Sequence, residues 1–146
     1  MKRSKRLQVV LDLAERKRKQ ADQLLAQAQS KVQQGEQTLQ QLESYYNDYA
    51  NEFYAAGAKG VSLGQLQTHQ AFMQKLRVAI EQQKKALIME RAQLEQVKTY
   101  WQKAYGHHQA VDSLVDKIKD EESRVADKQQ QKELDERSQL IRPTFI

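Results

Sequence analysis

From Leu66 to Gln129 residues recur on steps of three and four that alternate without a slip, and thirteen of the nineteen are apolar. The series reads Leu66, His69, Met73, Leu76, Ile80, Gln83, Leu87, Glu90, Leu94, Val97, Trp101, Ala104, His108, Val111, Val115, Ile118, Glu122, Val125 and Gln129. A mean spacing of ~3.5 residues, held this long, keeps one narrow apolar seam turned toward a partner helix, as in a coiled coil. A first series of the same kind runs through Leu7, Leu11, Ala14, Arg18, Ala21, Leu25, Ala28, Val32, Gly35, Leu39, Leu42, Tyr46, Tyr49 and Phe53. Only Arg18 and Gly35 break its apolar character. A helix-internal Gly costs roughly 1 kcal/mol against Ala, so Gly35 marks a soft or closely packed point.

Between the two series, the segment AAGAKGVSLG at 55–64 contains three glycines. Ser62 and Gln65 then fit the capping box that restarts a helix at Leu63, with Val61 and Leu66 placed for a hydrophobic staple. Helices joined by about six residues turn back antiparallel. The predicted fold is all-α, two long helices forming an antiparallel coiled-coil hairpin in one domain over 1–146. Helix 1 is expected over about 4–54, the turn over about 55–62 and a longer helix 2 over about 63–141. Pro143 disfavours helix in the residue before it, which places the end of helix 2 near Arg142.

Folding the chain at this turn pairs seam residues whose numbers sum to near 118–119. Phe53 then meets Leu66, Tyr46 meets Met73, Leu42 meets Leu76, Leu39 meets Ile80, Val32 meets Leu87, Leu25 meets Leu94 and Leu7 meets Val111. Every pair is apolar on apolar, and Gly35 falls beside Gln83. Past about Val115 this register leaves helix 2 without a partner in the chain, although its seam continues through Ile118 and Val125. Such a stripe is either an interaction surface or a fraying end.

Composition narrows the function classes. One Pro, five Gly and 29% charged residues leave little material for strands or loops. The absence of Cys excludes a disulfide frame and a Cys-based metal site. The N-terminal segment imitates a signal peptide, but Asp12 and the run ERKRK at 15–19 interrupt it. No apolar stretch is long enough to span a bilayer, so a soluble protein is expected. The net charge of +5 permits acidic partners, nucleic acid or an anionic membrane, yet 19 acidic residues are interleaved with 24 basic ones. That interleaving is the pattern of a solvated coiled-coil exterior. KRSKR at 2–6 stands before a heptad series as a zipper's basic region does, but zippers have no return helix and five residues are too few to read a groove. No nucleic-acid partner is expected.

Catalytic chemistry is absent from the pattern. The chain has no Gly-rich phosphate loop, no His-Glu metal spacing and no nucleophile beside a base, so no enzyme, cofactor or metal is expected. His107 and His108 are adjacent and point apart on a helix, His69 stands alone, and Glu121 and Glu122 lie on a solvated helix. Interest moves to YYNDYANEFY at 45–54, which holds five of the ten aromatic residues. Tyr46, Tyr49 and Phe53 are seam positions, whereas Tyr45 and Tyr54 lie off the seam, as Phe72 and Ala79 do on the other helix. The cluster is read either as core near the turn or as a protein-docking patch.

Several stretches carry a resemblance: LQVVLDLAE at 7–15, LESYYNDYANEF at 42–53, QAFMQKLRVAIEQQ at 70–83 and QKELDERS near the end. With the length, they make nearly the whole chain similar to the flagellar type III export protein FliJ family. The resemblance implies a cytoplasmic coiled coil like the stalk subunit of rotary ATPases, acting at the flagellar base and peripheral to the inner membrane only through its partners. Those partners are the ring of the flagellar export ATPase, the cytoplasmic domain of the export-gate membrane protein, and export chaperones, for which no site is located. Gate docking is implied for Leu42, Tyr45, Tyr49, Phe72, Leu76 and Ala79, which match the family's residue types, whereas Thr38 and Gln83 stand where the pattern can carry Gln and His. The open end expected to enter the ring holds Lys5, Arg6, Leu7, Leu11, Val111, Val115, Ile118 and Val125. A self-associating scaffold and the equivalent stalk of an injectisome are the alternatives.

Overall fold

A computed structural model describes residues 2–141, and the helix end expected near Arg142 lies outside the described residues. Two helices account for nearly all of it: α1, Arg3–Gly57, of 55 residues, and α2, Leu63–Ile141, of 79 residues. The fold is the all-α hairpin that the two series predict, with the second helix longer than the first. Helix α1 extends to Gly57, a turn past the last seam residue, because Ala55 and Ala56 are strong helix formers. It closes with hydrogen bonds from Lys59 N–H to the Ala56 carbonyl and from Gly60 N–H to the Gly57 carbonyl, both 3.1 Å. Gly60 has φ +91°, a conformation that a Cβ makes costly. The restart is the capping box: Gln65 N–H donates to Ser62 Oγ at 3.1 Å, and Ser62 N–H to Gln65 Oε1 at 3.0 Å.

The buried apolar residues are Ala14, Ala21, Val32, Met73, Leu76, Leu87, Val111, Val115 and Ile118, and each occupies a seam position. Contacts gather in two compact units. One joins the stretch up to Gln20 with that from Gln102 on, and the other is Ala21–Trp101.

Within the turn-side unit the pairing differs from a single constant sum. The ring of Phe53 stacks on His69 with centroids 3.6 Å apart, where Leu66 was the expected partner. Leu66 itself is 38% exposed. Around Gly35, Gln83 lies at the expected place and its Nε2 donates to the Gly35 carbonyl at 3.1 Å. Leu87 approaches the same glycine from one step further along α2. A knob in a coiled coil enters a hole formed by residues of two successive layers, so head-on pairing captures only one side of each hole.

In the terminal unit the expected pairing of Leu7 with Val111 gives way to a register about two turns further along α2. Ser4, 7% exposed, donates to Glu122 from both its N–H and its hydroxyl. Lys119 Nζ reaches Gln8 Oε1 at 3.5 Å. The expectation that α2 loses its partner past Val115 is therefore corrected: Ile118 is 5% exposed and Glu122 still faces α1, and only from Val125, 64% exposed, is the seam open. A polar pair lies in this register, and counting apolar residues gave it no weight.

Candidate functional site

Aromatic side chains gather in the turn-side unit because aromatic residues occupy neighbouring seam and flank positions there. Tyr49 and Phe53, four residues apart on α1, both stack on His69 from α2. Their centroids lie 5.3 and 3.6 Å from it, at interplanar angles of 11° and 9°. His69 Nδ1 is enclosed without a hydrogen-bond partner. One turn further along α2, Phe72 tilts onto Tyr49 at 4.5 Å and meets Tyr45 edge-on at 6.2 Å. Five rings thus form one contiguous stack.

The six residues implied for gate docking divide by exposure. Tyr45 is 55% exposed; Leu42, Tyr49, Phe72 and Ala79 are half-buried; Leu76 is buried. Tyr45 and Tyr49 both touch Phe72, so these three form a single surface. His69 and Phe53 complete it, and sequence reasoning placed both in the seam without seeing the stack. The signal was available, since Tyr49, Phe53, His69 and Phe72 flank the turn at three- and four-residue steps on each helix.

The eight residues at the open end all belong to the terminal unit. Val111, Val115 and Ile118 are buried and hold the two helices together, whereas Leu7 and Leu11 are half-buried, and Lys5, Arg6 and Val125 are exposed. Glu122 adds a feature that the apolar reading missed. The Ser4 hydroxyl and then the Ser4 N–H hold its carboxyl below the usual value of 4.5, Lys2 and Lys119 act in the same direction, and desolvation opposes them. Ser4 lies three residues before Leu7, so the first series extended one step back would have reached it.

Among the described residues no cluster of three or more His, Cys, Asp or Glu is arranged to hold a metal ion, and no helix is long and apolar enough to cross a membrane. The surface is one of contact: a half-buried aromatic stack with Tyr45 exposed upon it on one unit, and charged residues around a closed seam on the other. Neither curated proteins nor solved structures include a match to the chain. The family model described as flagellar FliJ protein matches residues 3–141, which takes in the whole of α1 and α2. The chain belongs to the flagellar FliJ protein family, and with it to the helical components of flagellar protein export.

Proposed function

We propose that this chain is a non-enzymatic coupling component of flagellar export that touches two partners with its two units. The ring of Tyr45, Tyr49 and Phe72 docks on the cytoplasmic domain of the export gate, with Leu42, Leu76 and Ala79 beside and beneath it. The observation that carries this reading is the exposure of Tyr45 on a preassembled stack: a large apolar ring is held toward solvent by Phe72 at little entropic cost. The terminal unit binds the export ATPase ring in the manner of a stalk. Lys5 and Arg6 with Leu7, Leu11 and Val125 form the contact surface, and Val111, Val115 and Ile118 form the core that stiffens it. The protein thereby reaches the inner membrane through its partners.

Titration of the gate's cytoplasmic domain against the wild-type chain and Tyr45→Ala tests the first contact. Tyr45→Ala is expected to weaken binding by about 1 kcal/mol or more with its melting temperature held. Lys5→Glu with Arg6→Glu is expected to slow association with the ATPase mainly at low salt. Unchanged gate affinity in Tyr45→Ala would return the stack to a purely structural role.

A further inference from the structure

The turn-side unit carries a second concave surface on the opposite flank of the seam, which shares Phe53 and His69 with the aromatic stack but includes none of the six residues of the proposed gate contact. It is an open groove of about 940 Å³ between the two helices. Met73, 4% exposed, and the half-buried Phe53 make its apolar floor, while Tyr54, 82% exposed, and Leu66, 38% exposed, stand at its sides. At its far end lies Arg77, whose Nε donates to Tyr46 Oη at 3.2 Å and whose Nη1 donates to Gln74 Oε1 at 3.3 Å. The guanidinium also lies over the Tyr46 ring, 5.9 Å from its centroid.

Three properties of this groove point to one occupant. Its cation is held in place by two neutral groups, and no Asp or Glu lines the groove, so the charge is oriented without being neutralised. Its apolar part leaves the largest exposed ring of the turn, Tyr54, without cover. Its length, from Leu66 to Arg77, follows three turns of α2, about 16 Å at ~1.5 Å per residue, which accommodates a short helix lying alongside. An all-helical unit has no strand edge to extend, and a helix laid in the groove fits its length and its apolar floor.

We propose that this groove binds an amphipathic helix of an acidic partner protein. A large apolar side chain of that helix seats on Phe53 and Met73 between Tyr54 and Leu66, and an Asp or Glu further along the same face pairs with Arg77. The site lies across the seam from Tyr45, so it is separable from the gate contact and stands whether or not that contact does.

Selection from a displayed library of fourteen-residue amphipathic helices, run on the full chain and on its Arg77→Glu variant, tests the proposal. The wild-type chain is expected to enrich peptides that combine a Trp, Phe or Leu anchor with Asp or Glu. The Arg77→Glu chain is expected to enrich Lys or Arg at the corresponding position. A peptide recovered on wild type should bind Tyr54→Ala at least tenfold more weakly and Tyr45→Ala equally well. Both Arg77 and Tyr54 are at the surface, and unchanged helicity and melting temperature in their variants separate loss of binding from loss of fold. No enrichment, or the same charge preference on both chains, overturns the proposal, as does loss of binding in Tyr45→Ala with retention in Tyr54→Ala. A dimer of the wild-type chain that Arg77→Glu dissociates would assign the groove to a second copy and overturn it as well.

Discussion

Glu122 of α2 accepts two hydrogen bonds from Ser4 in the first turn of α1, from the hydroxyl at 2.6 Å and from the backbone N–H at 3.1 Å. That N–H is one of the donors a helix leaves unpaired at its N-terminus, so one helix caps the other and sets a carboxylate where the helix dipole favours negative charge. The lowered pKa of Glu122 fixes the direction of its pH dependence. A depressed carboxylate contributes stability that is fully present above its unfolded value and is lost as pH falls through the folded one. Backbone chemical shifts of the first two turns of α1 are expected to move toward coil as pH drops below the usual 4.5. Glu122→Gln should remove that dependence.

The same pair locates the register of the terminal unit. Cysteines at Ser4 and Glu122, treated with a short bifunctional maleimide, should cross-link within one chain, whereas cysteines at Leu7 and Val111 should not. Cross-linking of the second pair in preference to the first would restore the constant-sum register and remove the cap.

How much of this was legible in the sequence depends on what each position contributes. Steps of three and four find every buried apolar residue, because an apolar seam is a one-dimensional pattern and the chain writes it directly. Ser62 and Gln65 were equally legible, since a capping box is local and its partners lie three residues apart. Ser4 and Glu122 were not, because their 118-residue separation carries no local signal and both are polar in a search for apolar pairs. The stack of Tyr49, His69 and Phe53 stood between these cases. Its residues were visible as seam members, but ring orientation depends on the half-step between facing layers, which spacing within one helix does not contain.

Gly35 provides a test of close packing within the turn-side unit. A Cβ there would lie 2.5 Å from a Glu90 carboxylate oxygen and 3.1 Å from Leu87 Cδ1, and that same Glu90 oxygen is buried without a hydrogen-bond partner. Gly35→Ala alone should gain little, because the helix-propensity benefit of ~1 kcal/mol is offset by displacement of Glu90 and a smaller shift of Leu87. In a Glu90→Ala background the same substitution should stabilise by about 1 kcal/mol. Chemical denaturation of the four chains of this cycle measures the coupling, and strict additivity would show that Glu90 does not constrain the glycine.

His69 leads to the opposite expectation for a buried polar atom. Its ring stacks with Tyr49 and Phe53 while its Nδ1 is buried and makes no hydrogen bond, so the site bears a desolvation cost that an apolar ring of similar size would avoid. His69→Phe should raise the melting temperature, by an amount equivalent to ~1 kcal/mol. A lower melting temperature would mean that the histidine has a bridging partner or that the longer ring cannot be seated against Tyr49 and Phe53.

The aromatic stack also divides folding from docking residue by residue. Met73 is 4% exposed in the seam, and Met73→Ala should cost about 2–4 kcal/mol through lost burial and the cavity left behind. Phe72 packs against Tyr49 at 4.5 Å and against Tyr45 at 6.2 Å, so its truncation should lower stability as well as binding. Tyr45 rests on this stack and is 55% exposed, so Tyr45→Ala should leave the melting temperature within about a degree of wild type, as surface truncations generally do. Thermal unfolding and gate affinity measured together on the three variants give the comparison. Docking through the stack requires that Tyr45→Ala weaken binding while stability holds, that Phe72→Ala lower both, and that Met73→Ala act mainly on stability. Loss of gate binding confined to Met73→Ala, and restored on cooling that chain, would trace the effect to unfolding and leave Tyr45 with no part in the contact.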